Sequence, residues 1–471
     1  MKKTQHIRRL FLLLILLTCL LNSQQAPAQT LYTIATNGLA TNRVNLVFFS
    51  EGYTSGQLGQ FLVDATNAAN FLLSAQPYAE YSNYFNVFAI AVASAQSGSD
   101  HPADGTSANT YFNSSYDNVS DYIITIPPDP YDTNYNDGQG KIDSLLQAFL
   151  PNTNNDLSAL LVNDPVQGGS DNYGRVAISS VSGDNYILVH ESGHTLGNLG
   201  DEYTTPYPGF PDTEEPNTTT QTNISLIKWR AWITNGTPIP TPQTAQYVNT
   251  VGLFQGAHYH TNGWYRPTYD SRMQSLQSGS GFGPVNSEAL VLAIYGKTRP
   301  MDSYSPATNN LSVTSAQMLA FSVSLLKPAT HALGVQWLTN GVAVTGATNQ
   351  LFNVMPAQLG AGAQKVEADI QDGTTLVRTD PASLLKQTNV WTLTVTIPSM
   401  QIDSLKLQTN GNFLLRVSGN APDGVAVQTS TNLLNWNGLQ TNPLNNSQFF
   451  YTNFGVGTSS LQHFYRTVTP P

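Results

Sequence analysis

A single cysteine, Cys19, stands among the 471 residues, and it falls within the first 28. The remainder of the chain can form no disulfide and offers no thiolate to a metal. Charge is also sparse: 11% of residues are Asp, Glu, Lys or Arg, with 20 basic against 30 acidic. A surface of that sign repels a phosphate backbone, and no basic stripe interrupts it, so nucleic-acid binding is not expected. Beyond Leu21 there is no apolar run long enough to cross a bilayer, so no transmembrane segment is expected.

The N-terminus carries the first positive signal. Lys2, Lys3, Arg8 and Arg9 precede an apolar run from Leu10 to Leu21, and Ala26-Pro27-Ala28 follows. The run is short for a stable anchor and closes on small residues, so residues 1–28 read as a signal peptide and the product as secreted. Thr18 before Cys19 and Leu20-Leu21 after it argue against a lipid-anchored start. Cleavage would leave 16 basic residues against 30 acidic ones, a net charge of −14.

From about Arg43 to Pro300 the chain alternates strand and helix patterns. Val44 to Phe49 is strand-like, and Gln57 to Ala75 carries a helical apolar rhythm through Leu58, Phe61, Leu62, Ala65, Ala69 and Leu72. Phe85 to Ala93, Leu157 to Val162 and Val176 to Ser180 read as strands. Ser182-Gly183-Asp184 then offers a turn and an N-cap for a helix over Tyr186 to Leu196. This is the pattern of an α/β unit with a mixed twisted sheet. After Pro300 short alternating segments take over, with Trp337 inside one of them, as in a sandwich of about 100 residues. The organisation expected is an α/β domain over 29–302, a β-sandwich over 303–398 and a β-rich module over 399–471.

His190-Glu191-Ser192-Gly193-His194 is an H-E-x-x-H motif on the predicted helix. Residues four apart lie one turn above each other, so both imidazoles can grip one zinc ion. Glu191 points aside, where it reaches a water on the metal. Zinc lowers the pKa of that water toward ~7, and the carboxylate takes its proton as general base. A third ligand must come from farther on. In an unbroken helix Asp201 would lie about 16 Å beyond His190 along the axis, out of reach. Gly197 and Gly200 are expected to supply the left-handed backbone that ends the helix and turns the chain back. Asp201, the first acidic residue after that reversal, is then the expected third ligand. Glu202, diverging from it, is expected to hydrogen-bond behind the ligands. His258 and His260 are competing ligand candidates from a distant loop.

The motif together with Gly197, Leu199 and Asp201-Glu202-Tyr203 resembles the signature of the IgA-peptidase family of zinc metallopeptidases. Val47 to Thr54 resembles that family's first strand and turn, with Glu51 where Asp is usual. Further similarity runs through Pro77-Tyr78, Tyr84 to Val87, Ser97 to Asp100, Leu160 to Asn163, Lys228 to Arg230, Gly252 to Ala257 and Tyr265 to Pro267, over roughly residues 43 to 295. The resemblance implies a zincin-like fold, one catalytic zinc and endopeptidase action on protein or glycoprotein substrates. It also implies a methionine turn at Met273, flooring the histidines. Where the family often has a cysteine near this methionine and a C-P-x-C segment beyond, Ser271 and Gly283-Pro284-Val285-Asn286 stand instead, so a disulfide there is absent. The 303–398 stretch resembles immunoglobulin-like modules, and the last stretch resembles small β-modules ending secreted bacterial proteins. Such modules act as spacers or contact glycans or a cell surface.

Three readings compete with a secreted peptidase or qualify it. An adhesive protein with an inactive peptidase-like domain is the first, and an intact Glu191 speaks against it. Zinc-dependent hydrolysis of a non-protein amide is the second. The third concerns cofactors: Asp132 to Gly138, with Asp143 eleven residues after Asp132, resembles a calcium loop whose glycine comes one place late. Because every expected ligand precedes residue 304, a fragment ending near Tyr304 is expected to suffice for zinc binding.

Overall fold

A computed structural model describes residues 29–119, 121–128, 137–151, 153, 156–180, 184–314, 317–396, 399–453 and 462–470. The expected signal peptide lies outside them, as do Ser182 and Gly183. The described chain divides into two compact units, the first holding residues to Asp302 together with 326–333 and 372–385.

The first unit is built on six strands: β1 (Thr30–Ala35), β2 (Val44–Glu51), β3 (Phe85–Ala91), β6 (Leu157–Val162), β7 (Gly169–Asp171) and β8 (Arg175–Ser179). A two-strand bridge, β4 (Ser115–Tyr116) with β5 (Ile124–Thr125), lies apart from them. The sheet order is β1-β3-β2-β6-β8-β7. Its four inner strands run parallel, and the two edge strands run antiparallel to their neighbours. Parallel neighbours need crossovers, which helices supply. Helix α1 (Leu58–Ser74) joins β2 to β3, and α2 (Gly138–Phe149) precedes β6.

Alternation along the strands sends side chains to two cores. Val44, Leu46 and Phe48 pack with Phe61 and Leu72 of α1, with Leu188 of α3 (Asn185–Gly197) and with Leu290 of α4 (Gly283–Lys297). Val47, Phe49, Leu160 and Val162 face the other way, onto Ile142, Leu145 and Leu146 of α2. A sheet covered on both faces explains why β6 is wholly apolar or small and buried throughout. The remaining strands of the unit are the hairpin β9 (Phe254–Ala257) and β10 (His260–Arg266).

Asp132 to Asn136 of the suspected calcium loop lie outside the described residues. Asp137 caps α2, accepting from the Gly140 amide at 2.9 Å. Asp143 pairs with Arg175. Both described carboxylates thus have structural partners.

The second unit is all β. A three-stranded sheet comprises β11 (Met301–Ser305), β13 (Leu319–Leu325) and β16 (Leu351–Val354). A five-stranded sheet runs in the order β12 (Asn310–Thr314), β18 (Lys386–Thr396), β17 (Gly362–Gln371), β14 (Gly334–Thr339) and β15 (Val342–Ala343). Trp337 and Trp391 are fully buried, stacked with ring centroids 5.7 Å apart. A four-stranded sheet of β19 (Ser399–Leu407), β20 (Phe413–Ser430), β21 (Asn437–Asn453) and β22 (Phe464–Val468) closes the chain.

The first unit does not end at residue 302. Leu326 and Leu385 are buried in its main core, with Leu376, Val377 and Leu384 packed against it. The Arg378 guanidinium lies 4.2 Å over the Trp232 ring. His331 bridges two carboxylates, with Nδ1 2.7 Å from Glu80 and Nε2 2.6 Å from Asp372. Tyr81 and Tyr295 donate to the other oxygen of Asp372 at 2.8 and 2.6 Å. A fragment ending at Tyr304 would therefore lack parts of the first unit's core.

Two outcomes follow from this closure. A chain ending at Tyr304 is expected to fail to unfold cooperatively, and Leu326→Ala in the full chain to cost about 2–4 kcal/mol in denaturant unfolding. Burial pulls the His331 value down, but the two carboxylates outweigh it and raise it above 6.5. A raised histidine stabilises the fold fully below its unfolded value and loses that contribution as pH climbs through the folded value. Unfolding temperatures should therefore fall above about pH 6.5 in wild type more steeply than in His331→Gln. Parallel curves for the two proteins would contradict the assignment.

Candidate active site

Helix α3 carries the motif. Its N-cap is Asp184, and it ends at Asn198, which takes the left-handed conformation (φ 49°, ψ 37°). The expectation placed that backbone reversal on Gly197 and Gly200, and it is corrected here. Asparagine tolerates the left-handed region, so it can make the turn. The glycines serve space instead: a Cβ on Gly197 would lie 2.8 Å from Leu290 Cδ2, and one on Gly200 would run into the Glu215 carboxylate.

After the reversal each residue from Leu199 to Tyr203 is tied down. The Leu199 carbonyl accepts from His194 Nδ1 at 2.6 Å. Gly200 exchanges hydrogen bonds with the Asn217 side chain at 2.7 and 2.9 Å. The Asp201 carbonyl accepts from the His258 amide at 2.9 Å, the Glu202 amide donates to the Met273 carbonyl at 2.9 Å, and the Tyr203 carbonyl accepts from the Tyr259 amide at 2.9 Å. The chain thus folds back along the helix end.

That return brings Asp201 to the histidines. His190 Nε2 and His194 Nε2 are 3.1 Å apart, and Asp201 Oδ1 lies 3.1 Å from the first and 3.3 Å from the second. Both Nδ1 atoms face main-chain carbonyls, that of His190 reaching Arg272 at 2.9 Å. Each ring therefore donates through Nδ1 and turns its Nε2 inward. Asp201 Oδ1 is buried and has no hydrogen-bond donor of its own. Glu191 belongs to the same cluster: ligand-type atoms of His190, Glu191 and His194 all lie within 4.8 Å of one another. A single small cation could cap the triangle of two nitrogens and one oxygen.

The electrostatics agree with that geometry. Burial pulls His194 down, but the Asp201 carboxylate and Glu191 raise it to about 10. Burial likewise raises Asp201, yet the His194 and His190 imidazoles facing it hold it well below the usual carboxylate range. Glu191 is raised by burial, against the opposing pull of His190 and His194. The pocket favours positive charge at its centre.

Met273 is fully buried. Its sulfur would stand 2.8 Å from a Cβ on Gly193, so only glycine there lets the helix settle on this floor. Glu202, fully buried, accepts from Asn217 at 3.0 Å, Asn286 at 3.0 Å and Ser271 at 2.7 Å. Burial raises its carboxyl, and these three donors partly offset that rise. Ser271 and Asn286, which stand where the family often has cysteines, bring Oγ and Nδ2 within 3.4 Å of each other.

The two rival histidines lie elsewhere. His258 is buried against Trp264, with centroids 4.0 Å apart, and its ring faces Glu215 at 3.2 Å and the Pro211 carbonyl at 2.8 Å. His260 faces Asp212 at 3.1 Å. Their ring nitrogens face these partners rather than the paired imidazoles. Sequence reasoning passed over Tyr259, Asn217 and Asn286. Only Asn286 had a signal, its place in the segment that resembles C-P-x-C.

Among the described residues no helix is long and apolar enough to cross a membrane. No curated protein matches the chain. Three solved structures show faint likenesses. A quinonprotein alcohol dehydrogenase-like protein from Bacteroides thetaiotaomicron aligns at 11% identity and TM-score 0.15, over 30% of this chain and 39% of its own length. Dimeric latent PorU from Porphyromonas gingivalis aligns at 9% identity and TM-score 0.13, over 34% and 16%. An amphioxus IgVJ-C2 molecule aligns at 9% identity and TM-score 0.14, over 34% and 99%. Likenesses this weak bear on neither fold nor activity. The sequence comparison is specific: residues 33–249 match the profile of the family described as IgA Peptidase M64. That span holds β2, the H-E-x-x-H helix and Asp201, and over it the chain is similar to the IgA Peptidase M64 family of peptidases.

Proposed function

We propose that this chain is a secreted, zinc-dependent endopeptidase acting on extracellular proteins or glycoproteins, with His190, His194 and Asp201 as metal ligands and Glu191 as general base. The observation that carries the reading is the triangle of inward-facing atoms with edges of 3.1, 3.1 and 3.3 Å, one of them a buried carboxylate oxygen without a donor. Ligand atoms about 2.0–2.1 Å from a tetrahedral zinc are about 3.3–3.4 Å apart, so the residues present fit that ion. Two imidazoles and one carboxylate are also a common donor set for catalytic zinc.

A bound zinc would supply a Lewis acid that acidifies water and polarises the scissile carbonyl. The protein's own residues do the rest. Glu191, one residue along from His190 and within the same cluster, takes the proton of the attacking water and returns it to the leaving amine. His190 and His194 keep their donors turned outward to Arg272 and Leu199, which leaves their lone pairs for the ion. Met273 seats the helix from below, and Glu202 holds the returning segment against the turn at Ser271. The signal-peptide pattern of residues 1–28 supports export.

Glu191→Gln is expected to retain zinc, measured by elemental analysis, while turnover of a peptide library falls by about 10²–10⁴-fold. Cleavage at close to the wild-type rate would remove Glu191 from the reaction. Asp201→Ala should lower zinc affinity by more than Glu202→Ala, for which a loss of about 10–100-fold is expected from disturbing groups behind the ligands. The reverse order, read by chelator competition, would move the third ligand to Glu202.

A further inference from the structure

Asp201 has two carboxylate oxygens, and the arrangement of the site depends on which of them turns inward. Oδ1 faces the imidazoles, while Oδ2 accepts a hydrogen bond from the hydroxyl of Tyr259. We infer that Tyr259 is a positioning residue, held at a strained hairpin tip so that its hydroxyl fixes the orientation of the Asp201 carboxylate. The inference rests on the reading that Asp201 is a metal ligand.

The backbone at the tip is the independent observation. Ala257 pairs with His260 across β9 and β10, so His258 and Tyr259 form a two-residue turn. Both have positive φ, 53° and 60°. Turns of this hand ordinarily use asparagine, aspartate or glycine, because a larger side chain crowds its own backbone there. A histidine followed by a tyrosine is costly local geometry, and such strain persists only where surrounding structure holds it in place.

The surroundings do hold it. The amides of both turn residues bond to the returning segment, His258 to the Asp201 carbonyl and Tyr259 to the Tyr203 carbonyl, each at 2.9 Å. The turn therefore grips Asp201 through its main chain as well as its side chain. The His258 ring is pinned between Trp264 and Phe210, with centroids 4.0 and 5.0 Å away. The Tyr259 ring packs beside Phe210 at 4.6 Å and Tyr207 at 5.6 Å. Those ring contacts need only a phenyl group, so packing does not account for the hydroxyl. Without a donor on Oδ2 the carboxylate is free to rotate or to offer both oxygens, and the ligand geometry loosens.

The test compares full-length wild type with Tyr259→Phe, which keeps the ring and loses the hydroxyl. Zinc affinity is read by chelator competition, ligand geometry by the visible spectrum of the cobalt-substituted protein, and folding by the thermal midpoint without metal. The expected result is an unchanged midpoint, zinc affinity lower by about 10–100-fold and a shifted cobalt spectrum. Tyr207→Phe, which removes a neighbouring hydroxyl from the same aromatic group, should change none of the three. Wild-type affinity and spectrum in Tyr259→Phe would overturn the inference, as would an equal loss in Tyr207→Phe. If Asp201→Ala binds zinc as wild type does, the ligand assignment fails first and takes the inference with it.

Discussion

Two imidazole nitrogens and a carboxylate oxygen, all turned toward one point and 3.1–3.3 Å apart, are mutually unfavourable unless positive charge sits among them. Much of the first unit can be understood as the means of holding that arrangement. The imidazoles are oriented by carbonyls from two directions, Leu199 just past the helix and Arg272 from a turn far along the chain. The helix itself is seated on a sheet covered on both faces, which leaves it little freedom to tilt.

The segment that returns Asp201 is secured by a buried polar cluster rather than a covalent link. Glu202 reaches Asn217, Ser271 and Asn286, so one carboxylate joins the stretch after the helix, the turn under it and the start of α4. A buried carboxylate is expensive to desolvate, and only a full set of donors makes it tolerable. Its specificity is directional: each donor must arrive at the right place, which fixes Asp201 next door and Met273 two residues after Ser271. The cross-link is available to a chain whose single cysteine lies at position 19.

The core of the same unit is closed by residues far downstream. Leu326, Leu385 and the His331–Asp372 pair belong to it, although strands of the second unit flank them in the chain. Glu80 lies just after α1, and its pairing with His331 ties the helix end to those late residues. No composition change marks 326–333 or 372–385 as different from their neighbours, so a division read along the chain misses them.

What could be read in the sequence was local in origin. A four-residue spacing places His190 and His194 on one helix face whatever surrounds them, and alternation or apolar runs placed β2, β3, β6 and β8. The need to stop the helix before Asp201 was also legible, although the reversal fell to Asn198 because the glycines were spent on close packing against Leu290 and Glu215. Helix α4 was not legible: buried residues lie all round it, Asn286 and Glu288 among them, so no apolar stripe announces it. Tertiary structure alone decided that Tyr259, 58 positions after Asp201, would hold its outer oxygen, and that Asn217 and Asn286 would meet at Glu202. Helical spacing follows from the bonds of one short segment. A hydrogen bond between distant residues depends on how hairpin, turn and helix pack together, and no local pattern encodes that.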